Sequence, residues 1–217
     1  MTDPSAVLMD DTPPRLLLVS PPLDAEGAAA QLDAALAAAG AADVGALLLR
    51  PGGLDDAAFA RLIAAPLAAA QAQGIAVLLE NRPGLLAASG ADGVHLTFAD
   101  KGGPQVKDLR GRFGPDVILG AGCGASRHLA MTAGEQGADY VGFGNPEGPA
   151  ADPETLAWWQ AVMTPPQVAF GAADLAAVRQ LAAAGADFVA AGPALWAAGD
   201  DPAAALGALQ AALAEPA

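Results

Sequence analysis

The residues that could do chemistry in this chain stand directly after short apolar runs. They are Arg50, Glu80, Asn81, Asp100, Cys123, Asn145 and Glu147. Arg50 offers a forked cation suited to a phosphate or a carboxylate, and a structural ion pair explains it nearly as well. Asp100 with Asn81 and Glu80 makes an oxygen-rich set suited to Mg²⁺, which prefers one or two carboxylates with ligand phosphates and water. A solvated loop acid is the competing reading of Asp100. Cys123 could act as a nucleophile only beside an activating base, and no histidine is placed by the sequence to serve it, so an inert small residue is favoured. His95 falls within an apolar run and reads as a barrel-lining or satisfied core histidine before a catalytic one. His128 reads as a surface residue, and Trp158 and Trp159 as helix packing. Two glycine turns that open helices, Gly171-Ala172 and Ala191-Gly192, could hold a phosphate on backbone N–H groups.

What positions these residues is a repeated cassette, Gly-Ala-Asp followed by an apolar strand. It reads Gly90-Ala91-Asp92-Gly93-Val94-His95-Leu96, Gly137-Ala138-Asp139-Tyr140-Val141-Gly142-Phe143-Gly144 and Gly185-Ala186-Asp187-Phe188-Val189-Ala190-Ala191. A weaker copy begins at Gly40. Asp43, Asp92, Asp139 and Asp187 stand 49, 47 and 48 residues apart. Each copy follows an Ala-rich amphipathic run, so the glycine is expected to cap a helix and the apolar residues to form a buried strand. One period holds two strand–helix units, and four periods predict a (β/α)8 TIM barrel over residues 15–217, preceded by a loose polar tail at 1–14.

In order, the expected strands are Leu16–Ser20, stopped by Pro21-Pro22, then Val44–Leu49, Ile75–Leu79, a fourth ending near Thr97, Val117–Gly120, Tyr140–Gly144, Gln167–Phe170 and Phe188–Ala191. A kink or break is expected at Pro66 in the second helix, which spans about 55–73. Ser126 is the expected N-cap of the helix over 126–135. In such barrels the active site lies where the strands end, which is where the polar residues above fall.

Composition sets limits on partners. The net charge is −14, from 10 Lys and Arg against 24 Asp and Glu, and lysine occurs only at Lys101 and Lys107. That balance argues against nucleic acid and anionic membrane, which need clustered cations. No apolar run approaches the ~18 residues of a membrane span. A single cysteine excludes an internal disulfide and a cysteine-based zinc site. With no basic N-terminal region, the cytoplasm is the expected compartment.

The stretch Ala91–Leu96 followed by Asp100, together with Gly137–Gly144, resembles the thiamine phosphate synthase family and its thiazole tautomerase relatives, over roughly residues 44–195. The resemblance implies coupling of hydroxymethylpyrimidine diphosphate with thiazole phosphate, release of diphosphate, a Mg²⁺ cofactor and a dissociative step stabilised by cations. It places the metal at Asp100 and Asn81, the phosphates at Arg50, Gly171, Ala172, Ala191 and Gly192, and substrate contacts at Asn81 and Asn145. Glu80 and Cys123 take the remaining catalytic positions. The partner implied is a small phosphorylated ligand, and a homodimer is left open.

The chain departs from the family pattern where the strands end. Of Gln-x-Arg-x-Lys only Arg50 remains. The metal-binding Asn-Asp is Glu80-Asn81. Thr-x-Thr-Lys is absent from the loop that begins Asn145-Pro146-Glu147. Each missing charge-assisted contact is worth roughly 1.5–3 kcal/mol, so weak synthase turnover is expected. The alternatives are a phosphate-binding or regulatory paralogue, a tautomerase-like isomerase, or acid–base chemistry by Glu80 or Glu147 on an uncharged or cationic ligand.

Overall fold

The structure, a computed structural model, describes residues 13–97, 106–196 and 201–215. Eight parallel strands close into a barrel in sequence order: β1 (Arg15–Pro22), β2 (Val44–Arg50), β3 (Ala76–Glu80), β4 (Gly93–Thr97), β5 (Ile118–Gly124), β6 (Tyr140–Phe143), β7 (Gln167–Ala169) and β8 (Phe188–Ala191). Outside them lie α1 (Ala28–Ala38), α2 (Asp56–Gln71), α3 (Leu86–Ser89), α4 (Val106–Phe113), α5 (Arg127–Glu135), α6 (Pro153–Val162), α7 (Leu175–Ala183), α8 (Pro193–Trp196) and α9 (Pro202–Ala214). This is the (β/α)8 barrel that the period predicts. Most of the 1–14 tail lies outside the described residues.

The two-residue period of each strand sorts its side chains into two cores. Leu17, Val19, Leu48, Leu78, Tyr140, Val168, Phe170 and Ala190 fill the barrel. Their neighbours in sequence, such as Leu16, Leu18, Leu47, Leu49, Val77 and Leu79, face the helices. Three rings meet inside the barrel. His95 lies 5.6 Å from Tyr140 and 5.3 Å from Phe170 between centroids. Glycine makes the room for them: a Cβ at Gly120 would meet Tyr140, one at Gly122 would meet His95, and one at Gly142 would meet Phe170.

The cassette aspartates stitch the barrel at its amino-terminal end. Asp92 Oδ2 accepts from Val77 N, Asp139 Oδ2 from Leu119 N and Asp187 Oδ2 from Gln167 N, each at 2.7 Å. Each satisfies a backbone donor near the start of the preceding strand. Asp43 instead takes the Arg15 guanidinium at 2.7 Å. Three cassette glycines act as expected, with Gly90, Gly137 and Gly185 in the left-handed region just past α3, α5 and α7. Gly40 does not; it sits inside a 3-10 turn, Ala39–Ala41.

Three local expectations are corrected. Pro21-Pro22 do not stop β1. A register shift lies between Val19↔Leu48 and Pro22↔Arg50, so the missing N–H groups fall at a bulge. Pro66 does not break α2, which runs unbroken from Asp56 to Gln71. Its ring is buried. Finally, β5 does not end at Gly120 but continues to Gly124, so Gly122 and Cys123 are strand residues.

Candidate active site at the barrel mouth

Strand parity decides which side chains reach the mouth. Arg50 shares parity with Ala46 and Leu48, and Glu80 with Ala76 and Leu78, which face or pack against the barrel interior. Arg50 and Glu80 therefore turn inward on the last residues of β2 and β3. The bulge in β1 brings Ser20 alongside, and its Oγ accepts from Arg50 N at 3.0 Å while donating to Pro21 O at 2.8 Å.

The Arg50 guanidinium lies between two carboxylates. Nη1 donates to Glu147 Oε1 at 2.7 Å, and Nε lies 3.5 Å from Glu80 Oε1. The second contact is an ion pair without hydrogen-bond geometry, so Arg50 Nε is a buried donor with no hydrogen-bond partner. The Arg50 and Glu80 side chains are 12% and 15% exposed, whereas Glu147 is 55% exposed. Burial opposes the charge on Arg50, yet Glu147 and Glu80 together raise its pKa. The hydrogen bond from Arg50 holds the Glu147 carboxyl below its ordinary range.

Glu147 arrives from the loop between β6 and α6. Asn145 shapes that loop by accepting from Glu147 N through Oδ1 at 3.1 Å, while its own N–H reaches Pro149 O at 3.0 Å. The loop then crosses the ends of β6 and β7. A Cβ on Gly144 would stand 2.5 Å from Ala151 N, and one on Gly171 would stand 2.6 Å from Ala150 Cα. Gly171 is therefore required for this close approach as well as for its φ of 83°. Beyond it, the N–H groups of Ala172 and Ala173 donate to no described residue. Asp174 caps α7 by accepting from Ala177 N at 2.8 Å. Gly192, after Ala191, faces Pro146 O and leads into the single turn of α8.

Below this layer lies a hollow of about 80 Å³ lined by residues including His95, Thr97, Gly122, Asn145, Pro146 and Phe170. His95 hydrogen-bonds Tyr140 Oη through Nδ1 at 2.8 Å. Burial brings its pKa down to about 4, so the ring is neutral near pH 7. The sequence reading of His95 as a barrel-lining or core residue agrees with its burial, and the ring also floors the mouth.

Two expectations about the mouth change. Cys123 is not in it. Its strand parity is opposite to that of Gly122, and its side chain joins the outer core against the helices. The thiol donates to Ala121 O at 3.3 Å, and burial pushes its pKa up to about 12. The set suggested for Mg²⁺ is also altered. Asn81, in the left-handed region at φ 52°, spends its amide on Thr97: Oδ1 accepts from Thr97 N at 2.9 Å and Nδ2 donates to Oγ1 at 2.5 Å. Glu80 and Glu147 are paired with Arg50. Among the described residues no three His, Cys, Asp or Glu side chains are grouped to hold a metal. Asp100 lies outside the described residues. The described donors alone therefore do not make up a magnesium site.

A second, larger hollow of about 310 Å³ opens at the opposite end, where Gly45, Ala46 and Ala76 are small. Its lining is almost wholly apolar, and that end of such barrels serves stability, so the mouth remains the candidate site. No helix among the described residues is long and apolar enough to cross a membrane.

Fold and site define a (β/α)8-barrel protein with an arginine-centred polar cluster at the carboxyl-terminal ends of its strands. The family model described as thiamine monophosphate synthase matches residues 16–195. The thiamine-phosphate synthase of Rhodospirillum centenum is 42% identical over 182 residues, covering 80% of this chain and 85% of that protein. That of Hyphomonas neptunium is 41% identical over 187 residues, covering 80% and 82%. Among solved structures, thiamine phosphate pyrophosphorylase from Pyrococcus furiosus superposes with a TM-score of 0.76 at 20% identity, over 92% of this chain and 95% of that one. The chain belongs to the thiamine monophosphate synthase family.

Proposed function

We propose that the protein is a thiamine-phosphate-synthase-type transferase whose mouth binds a phosphate or diphosphate group on Arg50. In this reaction the bond between the pyrimidine methylene carbon and diphosphate breaks. The carbon then bonds to the thiazole nitrogen, and diphosphate leaves. The observation that carries the reading is Arg50, a largely buried cation at the strand ends of a chain from this family, whose Nε has an ion pair to Glu80 but no hydrogen bond. A buried donor of this kind is costly unless something accepts from it. The Ala172 and Ala173 amides, with the Ala191-Gly192 turn, are the proposed seat of the second phosphate. Neutral His95, oriented by Tyr140, floors the hollow beside Asn145 and Thr97 and would keep it shielded from water on that side. Mg²⁺ would supply neutralisation of the leaving diphosphate, with Asp100 its proposed ligand.

Arg50 is the cation at this cluster, and it faces two carboxylates, so turnover is expected to be slow. The test is formation of thiamine phosphate from the two substrates with Mg²⁺, alongside complementation of a thiamine-requiring strain that lacks its synthase. Slow product formation that is lost in Arg50→Gln supports the reading. A second reading, a phosphate-ligand binder without turnover, draws on the same closure of Arg50 by Glu80 and Glu147. Calorimetric binding of thiazole phosphate with no product would select it, and neither binding nor product would overturn both.

A further inference from the structure

Arg50 has two partners of different kinds. Glu80 belongs to β3, is largely covered, and stands 3.5 Å from Nε without a hydrogen bond. Glu147 belongs to a loop, is about half exposed, and holds the short 2.7 Å contact to Nη1. Ninety-seven residues separate it from Arg50 along the chain. The loop that carries it is fixed by its own turn and by its seat on Gly144 and Gly171, so the carboxylate is presented by backbone geometry rather than by chance extension of a long side chain. Ser20 fixes the Arg50 backbone from the other side. A carboxylate and a phosphate oxygen ask the same of a guanidinium: a short, charge-assisted N–H···O bond along one edge of the fork.

We propose that Glu147 is a built-in competitor for the anion position on Arg50, so that a phosphate-bearing ligand must displace this carboxylate to bind. This rests on the reading of Arg50 as the phosphate residue and adds the element that sets its affinity. The consequence is selection by charge. A dianionic or trianionic phosphate can outbid a single carboxylate for the fork, whereas a monoanionic carboxylate ligand gains nothing by the exchange. Glu80 stays in place on its strand and keeps the guanidinium oriented while the partner on Nη1 changes.

The test is a double-mutant cycle read by calorimetric titration with inorganic pyrophosphate on the full chain. Glu147→Gln keeps the side-chain length and an acceptor oxygen but removes the charge. It is expected to tighten pyrophosphate binding by up to about fivefold, the range expected for release of one partly exposed ion pair. In the Arg50→Gln background the same change should have little effect, because the competition acts through Arg50. An equal gain with and without Arg50 would reduce Glu147 to general repulsion and overturn the proposal. So would an unchanged affinity in Glu147→Gln. If Arg50→Gln alone abolishes binding while Glu147→Gln changes nothing, the proposal fails and the phosphate role of Arg50 stands. Binding untouched by Arg50→Gln, or absent in Glu147→Gln at millimolar pyrophosphate, removes both. Circular dichroism on each variant checks that the barrel is intact, and Glu147→Ala, at the same half-exposed position, should reproduce the gain.

Discussion

Asp139 Oδ2 accepts a 2.7 Å hydrogen bond from the backbone N–H of Leu119, and the same oxygen accepts from the Arg110 guanidinium at 2.5 Å. The aspartate precedes β6 and the amide lies in β5, so one side chain ties two strands at the amino-terminal end of the barrel. Asp92 and Asp187 repeat the tie to β3 and β7. Replacing Asp139 by alanine leaves a part-buried amide unpaired, which costs about 1–3 kcal/mol. Urea unfolding should show that loss. A change below about 0.5 kcal/mol, the range of ordinary surface substitutions, would count against a stitching role.

His95 predicts an acid limit on stability. Its folded pKa of about 4 lies below the ordinary 6.5, so the unfolded chain binds the extra proton between those values. Stability is therefore complete above pH 6.5 and is lost as pH falls toward 4. The full difference is roughly 3 kcal/mol, at about 1.36 kcal/mol for each pH interval of one between the two values. Tyr140, its hydrogen-bond partner, is pushed up by burial and does not titrate in this window. His95→Gln should flatten the dependence of unfolding free energy between pH 6.5 and 4. An unchanged slope in that variant would remove His95 as the cause.

Cys123 should be unreactive in the folded protein. The thiol is 4% exposed, and burial pushes its pKa up to about 12, so thiolate is scarce at pH 8. Ellman's reagent is expected to label it only after denaturation. Cys123→Ala should keep whatever turnover the wild type has. Rapid labelling of the native chain would contradict the outward placement.

Gly171→Ala tests the seat of the mouth loop. The added methyl would stand 2.6 Å from Ala150 Cα at a φ of 83°. Strain at such a site is of order 1–3 kcal/mol. The expected result is lower stability together with a change in pyrophosphate affinity, because Glu147 is carried on the same loop. Loss of stability with affinity unaltered would show that the loop's seat and the Arg50–Glu147 contact are independent.

Much of this architecture is legible in the sequence because it is periodic. The spacing of the four aspartates gives eight strands, and the alternation along β2 and β3 points Arg50 and Glu80 inward. The failures come where glycine and proline carry two meanings. Gly122 and Gly124 suggest a loop after Gly120, yet β5 runs on through them, and Gly120 and Gly122 leave the room that Tyr140 and His95 fill. One strand read four residues short therefore puts Cys123 at the mouth instead of in the outer core. Pro21-Pro22 suggest a strand end and instead mark a bulge. The contact between Arg50 and Glu147 has no local signal at all. It depends on a loop whose path is set by two glycines that yield to its backbone.

The hydrogen bond from Arg50 N to Ser20 Oγ also has a consequence in time. With its main chain pinned to β1 and its guanidinium beside Glu80, Arg50 exchanges partners when the half-exposed Glu147 side chain turns away. Rotamer changes of this kind in accessible side chains take picoseconds to nanoseconds, against microseconds or longer for collective domain closure. Arrival of an anionic ligand at this arginine is then limited by encounter, and encounter is slowed by the molecule's own charge of −14. Raising the ionic strength should therefore speed association even as it weakens the bond finally made.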